Sequence, residues 1–336
     1  MQLFKTQPDF DFIAWRWHAL LGSLVIIVVG VALLFMRGGL PLGIDFSGGS
    51  LIVIEFEEPV TEDAVRDALA PVEGEKIVQQ YGAADANQMM VRLPQTGPEV
   101  GTSLEEGAEA VRSALEASGV GSFQVVGQEL VGPVIGQELR QRGIYAFVFA
   151  MAGILVYVGL RFRFSFGVGA IVAVAHDIMV TVSLLMMFGY ELSLNVVAAM
   201  LTITGYSVND SIVVFDRVRE NLRRMRRDRF DRLVNVSINQ TLARTLITSG
   251  TTGFAVLALY VFGGEVLEGF AFTMLVGVIS GTYSTIFIAA SAAILITQGR
   301  AARRSAQAPA AARTPQRQQQ SKRSGRKARV PARRSA

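Results

Sequence analysis

A carboxylate lies inside a long apolar stretch near the middle of the chain. Asp210 belongs to the segment Thr202 to Asn221, where apolar and uncharged polar residues flank it on both sides. If this segment is a membrane helix, an ionised and unpaired Asp210 would cost roughly 2.5 to 3.5 kcal/mol or more, and such residues mark ion and proton pathways. The sequence therefore predicts a functional carboxylate within the membrane.

One arginine is placed to meet this carboxylate. Arg244 lies near the start of the next apolar segment, and an antiparallel arrangement would bring it to the depth of Asp210. Ser207, one helical turn before Asp210, would lie on the same side and within hydrogen-bond reach of it. Two interpretations stay open. Asp210 and Arg244 form a structural ion pair that pins two helices, or the arginine approaches and withdraws so that Asp210 loads and releases a proton.

A second polar pair lies in the preceding apolar segment. His176 and Asp177 are adjacent in its middle, and Thr181 lies one turn beyond Asp177. These residues could form a second proton relay, or they could make hydrogen bonds that hold neighbouring helices together. The sequence alone leaves both roles open.

The residue types exclude several kinds of chemistry. There is no cysteine and there are two histidines, so disulfides, cysteine-based metal sites and histidine-rich metal centres are excluded. Nothing resembles a phosphate-binding loop, a nucleophile elbow or a metal-ligand cluster. We therefore expect no cofactor, no metal and no enzymatic activity of the ATPase or hydrolase kind. Four glycines should instead let helices approach closely: Gly250, Gly253, Gly277 and Gly281.

The elements that position these residues are membrane helices. Of the 336 residues, 51% are hydrophobic and 18% are charged, and the mean hydropathy is +0.38. Such a composition is too apolar for an ordinary soluble protein of this size. Six apolar segments can cross the roughly 30 Å hydrocarbon core as helices: 19–36, 144–160, 166–187, 192–215, 242–262 and 266–296. We predict an all-α polytopic membrane protein whose last five spans form a bundle over residues 140–298.

Residues 38–138, between the first and second spans, have a different character. They contain seventeen Asp and Glu against four Lys and Arg, which indicates a separate domain outside the bilayer. Periodicity and turn residues predict strands at 50–56, 76–81, 88–93 and 123–130 and helices at 61–70 and 103–118. The order βαββαβ is that of a ferredoxin-like α+β domain.

Basic residues indicate the orientation. Arg161 and Arg163 follow the second span, eight arginines follow the fourth, and the tail 299–336 holds twelve Lys and Arg without an acid. Because Lys and Arg mark the cytoplasmic side, both termini, including residues 1–18, should be cytoplasmic and residues 38–138 extracytoplasmic. We predict a multi-pass protein of the cell (inner) membrane with a disordered basic tail. The segregated charge is a topology signal, so we expect the lipid bilayer and no specific nucleic acid as a partner.

Several ordered motifs resemble the SecF branch of the SecD/SecF family of protein-export membrane proteins, within the RND superfamily. The motifs are GIDFSGG at 43–49, AHD at 175–177, GYSVNDSIVVFDR at 205–217, QTLART at 240–245 with TSGTT at 248–252, and LEGF at 267–270. The resemblance extends from the first span to the sixth.

The resemblance implies half of a transporter, completed by SecD beside the SecYEG channel, in which the proton motive force draws an unfolded preprotein outward. In the family, proton conduction is assigned to an aspartate and an arginine that correspond to Asp210 and Arg244. The motifs add Ser207, Asn209 and Thr248 as supporting residues, and the carry-over to His176 and Asp177 is weaker. Four residues of the first motif form a structural element that shapes the docking of the external domain: Gly43, Asp45, Gly48 and Gly49.

Two other functions stay open. The chain could be half of an RND-type exporter of small molecules or lipids, although those transporters usually carry both halves in one longer chain. It could also be a passive scaffold of the translocon that moves no protons. Replacing Asp210 with Asn keeps the size and removes the charge, so this substitution separates a motor from a scaffold.

Overall fold

An apolar helix, α1 (Arg16–Met36), precedes a small α+β domain. The computed structural model describes residues 8–74, 76–81, 86–94, 104–162 and 164–307. The domain consists in chain order of α2 (Ile44–Ser47), β1 (Gly49–Phe56), α3 (Glu62–Ala68), β2 (Ile77–Tyr81), β3 (Gln88–Pro94), α4 (Leu104–Ser118) and β4 (Phe123–Val131). The predicted bounds of the strands and helices agree with these to within two residues, and Ser103, the predicted start of α4, lies outside the described residues.

The four strands form one antiparallel sheet in the order β2-β3-β1-β4. The central strand β1 is apolar almost throughout, because one of its faces forms the domain core and its other residues are also mostly covered. Its Ile54 is fully buried together with Val65 and Leu69, which belong to α3 and its end, and Val111 of α4. The helix α3 begins where the Thr61 side chain accepts a hydrogen bond from the backbone of Ala64, which satisfies a free N–H of the first turn.

The prediction of six membrane spans is confirmed among the described residues by length and composition. After α1, these spans are α5 (Pro133–Arg161), α6 (Phe164–Phe188), α7 (Leu194–Arg224), α8 (Phe230–Phe262) and a last one made of α9 (Glu265–Ser284), a π-helical turn (Thr285–Ala289) and α10 (Ala290–Gln307). Each apolar segment of the sequence lies within one of them or extends past it by a residue or two.

Several spans extend well beyond their apolar segments. Helix α5 begins at Pro133, inside the predicted external domain, and α7 and α8 extend to Arg224 and from Phe230. Hydropathy detects the part of a helix that can lie in lipid, whereas backbone hydrogen bonding continues into the polar ends. For the same reason α10 runs to Gln307, so the prediction of disorder is wrong for residues 299–307. Residues 308–336 lie outside the described part.

Glycines set the distance between the inner helices. A Cβ on Gly277 would lie 2.2 Å from Cδ1 of Ile203, and one on Gly281 would lie 3.1 Å from Cβ of Ser207, so α9 packs directly against α7. This confirms the prediction for these two glycines. It is not borne out for Gly250 and Gly253, where a Cβ would meet nothing within 4 Å among the described residues.

Candidate functional site

Asp210 is buried in α7 and only half satisfied. Its exposed fraction is 7%, and its Oδ1 accepts a hydrogen bond of 2.9 Å from the hydroxyl of Thr245 on α8. Its Oδ2 is buried and accepts no hydrogen bond from the described residues. Within this chain, one oxygen of the carboxylate is therefore fixed in position, and the other has no donor that would hold a negative charge on it.

Arg244 lies at the predicted depth, but its side chain is on the outer surface. It directly precedes Thr245, and it is exposed. Within the described residues it makes no ion pair at 4 Å or less with Asp210 or any other carboxylate. Asn209 and Thr248 are exposed as well, and the Thr248 hydroxyl donates to the backbone oxygens of Arg244 and Thr245, each at 3.0 Å. The arrangement therefore holds Asp210 through Thr245 and leaves these three polar side chains facing outward.

The hydrogen bonds around the Asp177 carboxylate differ from those around Asp210. It is 2% exposed, and three serine hydroxyls donate to it: Ser207 at 2.6 Å, Ser280 at 2.7 Å and Ser284 at 2.7 Å. The ring nitrogen Nδ1 of His176 lies 3.2 Å from its Oδ1. These contacts join α6, α7 and α9 around one fully hydrogen-bonded carboxylate.

The prediction that Ser207 serves Asp210 is wrong in this arrangement. The spacing on α7 places the two residues near each other, yet the Ser207 hydroxyl points to Asp177 on α6. Helix α9 lies so close to α7 beside Gly281 that Ser207, Asp177 and Ser284 enclose a common polar centre. A helix has several polar faces, and the sequence does not reveal which neighbour each face meets.

The sequence alone did not lead us to the serines of α9, although their spacing is a recognisable signal. Ser280 and Ser284 are separated by four residues, so they lie on one face of an apolar helix. Directly after Ser284 the helix widens into a π-helical turn at Thr285, whose hydroxyl lies 3.0 Å from that of Ser211 on α7. Turns of this kind are frequent at functional sites.

The glycine-rich motif joins the α+β domain to the start of α7. The N–H of Gly43 donates to the backbone oxygen of Leu192 at 2.9 Å, and Oδ2 of Asp45 accepts from the N–H of Leu194 at 2.8 Å. Asp45 thus satisfies the amino end of the helix that carries Asp210, where a negative charge is favourable. Gly48 and Gly49 have φ angles of +73° and +129°, which side-chain-bearing residues rarely adopt.

Two further contacts strengthen this joint. Arg92 of β3 donates to the carboxylate of Glu191 and, at 2.9 Å, to the backbone oxygen of Leu42. Burial raises the pKa of Glu191, and the neighbouring guanidinium of Arg92 partly offsets that rise.

The hydroxyl of Tyr190 donates a hydrogen bond of 2.6 Å to the carboxylate of Glu268. Burial and this hydrogen bond raise the pKa of the Tyr190 hydroxyl well above its usual range, which keeps this hydroxyl a donor.

Among the described residues, no group of three or more His, Cys, Asp or Glu is arranged to hold a metal ion. Within the described spans, the buried carboxylates of Asp177 and Asp210 have hydroxyl partners, and Asp177 also has an imidazole beside it. Groups of this kind can hold a proton or a hydrogen bond inside a membrane without any cofactor.

Comparison with known proteins gives a consistent result over most of the chain. A family model described as the SecD/SecF GG motif matches residues 33–60, and one described as the C-terminal part of the protein export membrane proteins SecD/SecF matches residues 110–299. The protein translocase subunit SecF of Escherichia coli O157:H7 is 40% identical over 294 residues, covering 87% of this chain and 90% of the relative. That of Magnetococcus marinus is 40% identical over 317 residues, covering 94% and 100%.

A solved structure matches as well. The crystal structure of SecDF from Thermus thermophilus, described as a translocon-associated membrane protein, superposes with a TM-score of 0.77 and 35% sequence identity. The match covers 88% of this chain but only 40% of the SecDF chain. The chain therefore spans less than half the length of this structural relative.

Proposed function

Because the chain belongs to the SecD/SecF family of protein-export membrane proteins, we propose that it is the SecF-type half of a machine that uses the proton motive force to draw preproteins outward through the SecYEG channel. The observation that carries the proposal is the half-satisfied carboxylate of Asp210. We propose Asp210 as the group that binds and releases the proton and Arg244 as the cation that opposes it.

The geometry of Asp210 suits a carboxylate that binds and releases a proton. Thr245 holds Oδ1, so a proton on Oδ2 would leave the carboxyl group neutral and in place. Arg244 is at the same depth, and rotation of its long side chain toward Asp210 would favour the charged carboxylate and release that proton. One charge crossing the membrane field is worth about 2.3 kcal/mol per 100 mV, so repeated cycles can drive conformational change.

An outward polar face supports a membrane-embedded partner, which we propose to be SecD. Inside the spans, α7 exposes Thr202 and Asn209, and α8 exposes Arg244, Thr248 and Thr251. Polar and charged side chains that face lipid are costly, so such a face is typical of a helix that packs against another helix. The match to 40% of the SecDF chain supports the same conclusion, because this chain would supply one half of the machine.

The external domain would pass the motion on to the preprotein. We propose that this domain has a ferredoxin-like fold, a proposal supported by the sheet order β2-β3-β1-β4 and its antiparallel pairs. Asp45 caps the amino end of α7, so a shift of the helix that carries Asp210 would move the domain directly. Both termini would be cytoplasmic and residues 38–138 extracytoplasmic. The amino-terminal segment contacts Asn235 and Asn239 near the start of α8, on the side of the arginine-rich loop, which supports this orientation.

The test is gradient-dependent export by membrane vesicles that contain the chain with its SecD partner and the channel. Asp210→Asn should reduce late-stage export of a preprotein to the level of vesicles without a proton gradient, while the amount of protein in the membrane stays unchanged. Asp216→Asn is the matched control, because it makes the same substitution on the same helix at an exposed carboxylate. Normal export by Asp210→Asn would contradict the proposed motor function and favour a passive scaffold. Normal export by Arg244→Met would remove only the proposed cation.

A further inference from the structure

Arginines surround a cavity where α5 and α7 reach their carboxyl ends. Its volume is about 510 Å³, within the range of pockets that bind small ligands. The arginines come from two helices and the turn after α7, and they are Arg161, Arg219, Arg223 and Arg226. None of these residues belongs to the proton site or to the joint with the external domain.

The positive charge in this cavity is largely uncompensated. Arg161 lies 3.3 Å from Asp216, but Arg219, Arg223 and Arg226 make no ion pair at 4 Å or less within the described part of the chain. The spacing of four and three residues places these three guanidinium groups on one side of α7 and its end, where like charges repel. An anion in the cavity would relieve that repulsion.

The carboxylate of Glu220, on the same turn of α7, does not neutralise the arginines of the cavity. Glu220 is bound by Arg217 at 2.7 Å and by Arg224 at 2.7 Å. The helix therefore separates its arginines into a set neutralised by Glu220 and a set that faces the cavity without a counter-charge.

The floor of the cavity is apolar and rigid. Phe162 and Phe166 are buried and pack on the ring of Phe215, with ring centroids 6.3 Å and 5.1 Å apart. The Arg161 guanidinium lies over the Phe162 ring, 5.3 Å from its centroid. Beside the floor, Leu160 is 86% exposed at the end of a membrane span. The cavity thus combines a basic upper rim with apolar surface that continues along the outside of α5.

We propose that this cavity binds the headgroup of an anionic phospholipid. Arg219, Arg223 and Arg226 hold the phosphate, and an acyl chain follows the outer face of α5 from Leu160. Basic pockets between membrane helices suit such headgroups, and the apolar floor favours a lipid over free phosphate. The inference goes beyond the proposed function, because lipid binding needs neither a proton gradient nor a partner chain.

Lipid binding to the full-length chain in detergent tests the proposal, measured by thermal stabilisation and by native mass spectrometry. The probes are phosphatidylglycerol, phosphatidylcholine with the same acyl chains, and inorganic phosphate. The chain should bind phosphatidylglycerol selectively. The triple variant R219Q/R223Q/R226Q should bind it on the order of 100-fold more weakly, because each basic side chain near an anionic lipid contributes roughly a fivefold gain.

A matched control removes the same charge outside the cavity. The variant R224Q/R229Q/R232Q changes three arginines that pair with Glu220, Asp231 and Asp228, and it should bind phosphatidylglycerol within about twofold of the unchanged chain. Should the first triple variant fail to fold, Arg223→Gln alone should weaken binding about fivefold. Equal weakening by the control, equal binding of phosphatidylcholine, or equal stabilisation by inorganic phosphate would each overturn the proposal.

Discussion

Asp177 and Asp210 are buried carboxylates on neighbouring membrane helices, but the groups around them differ. Asp177 accepts hydrogen bonds from three serines and lies beside His176, whereas Asp210 accepts one, from Thr245. A carboxylate with a full set of donors is held in one state and one place. A carboxylate with a free oxygen can change its protonation state without breaking a network. The difference supports our proposal that Asp210 exchanges a proton, and it leads us to expect that Asp177 stabilises the helix bundle.

The largest expected effect is on the fully bonded site. Asp177→Ala leaves the hydroxyls of Ser207 and Ser280 buried without their acceptor, whereas the Ser284 hydroxyl keeps the backbone oxygen of Gly281. Because each unsatisfied buried group costs about 1 to 3 kcal/mol, we expect a loss of roughly 3 to 5 kcal/mol of unfolding free energy. Thermal unfolding in detergent measures it, with Asp216→Ala at an exposed carboxylate as the control. Equal stability of the two variants would show that Asp177 has no structural role.

The next effect concerns the packing that assembles the serine network. Gly277→Ala places a methyl group 2.2 Å from Cδ1 of Ile203, which must push α9 from α7. We expect a loss of about 1 to 3 kcal/mol, as for other overpacked cores. Gly250→Ala is the matched control on α8, where a Cβ meets nothing within 4 Å. It should leave the unfolding free energy unchanged or raise it by up to about 1 kcal/mol, because Ala has the higher helix propensity. Similar losses in both variants would mean that the close approach of α9 to α7 is not the cause of the loss.

A smaller effect is expected from the single donor at Asp210. Thr245→Val keeps the shape of the side chain and removes the hydroxyl that donates to Oδ1. We expect about 1 kcal/mol lower stability, typical of the loss of one hydrogen bond, together with altered proton-dependent export. Thr241→Val on the same helix is the control, since among the described residues its buried hydroxyl bonds only to the backbone oxygens of Ser237 and Ile238. Unchanged export in Thr245→Val would show that Oδ1 need not be held.

These comparisons also show what the sequence could predict. The six spans and the strands of the α+β domain follow from apolar runs and periodicity, which depend on local composition. The depth of Arg244 followed from an antiparallel turn, but the outward direction of its side chain depends on which helices surround α8. The partner of Ser207 depends on how closely α9 approaches α7. Which side chains contact each other across helices depends on how the helices pack, and the amino-acid sequence alone does not reveal it.

The smallest expected change in stability is at the proposed proton site itself. Asp210→Asn keeps an oxygen that can accept from Thr245 and removes a buried charge that has only this one donor. The unfolding free energy should therefore change by less than about 1 kcal/mol, or rise, whereas Asp177→Asn should lose about 1 to 3 kcal/mol because its amide faces hydroxyl donors. Thermal unfolding of both variants, compared with their export, sharpens the contrast. If Asp210→Asn lost as much stability as Asp177→Asn, Asp210 would be a second structural pin, and its loss of export would no longer indicate proton exchange.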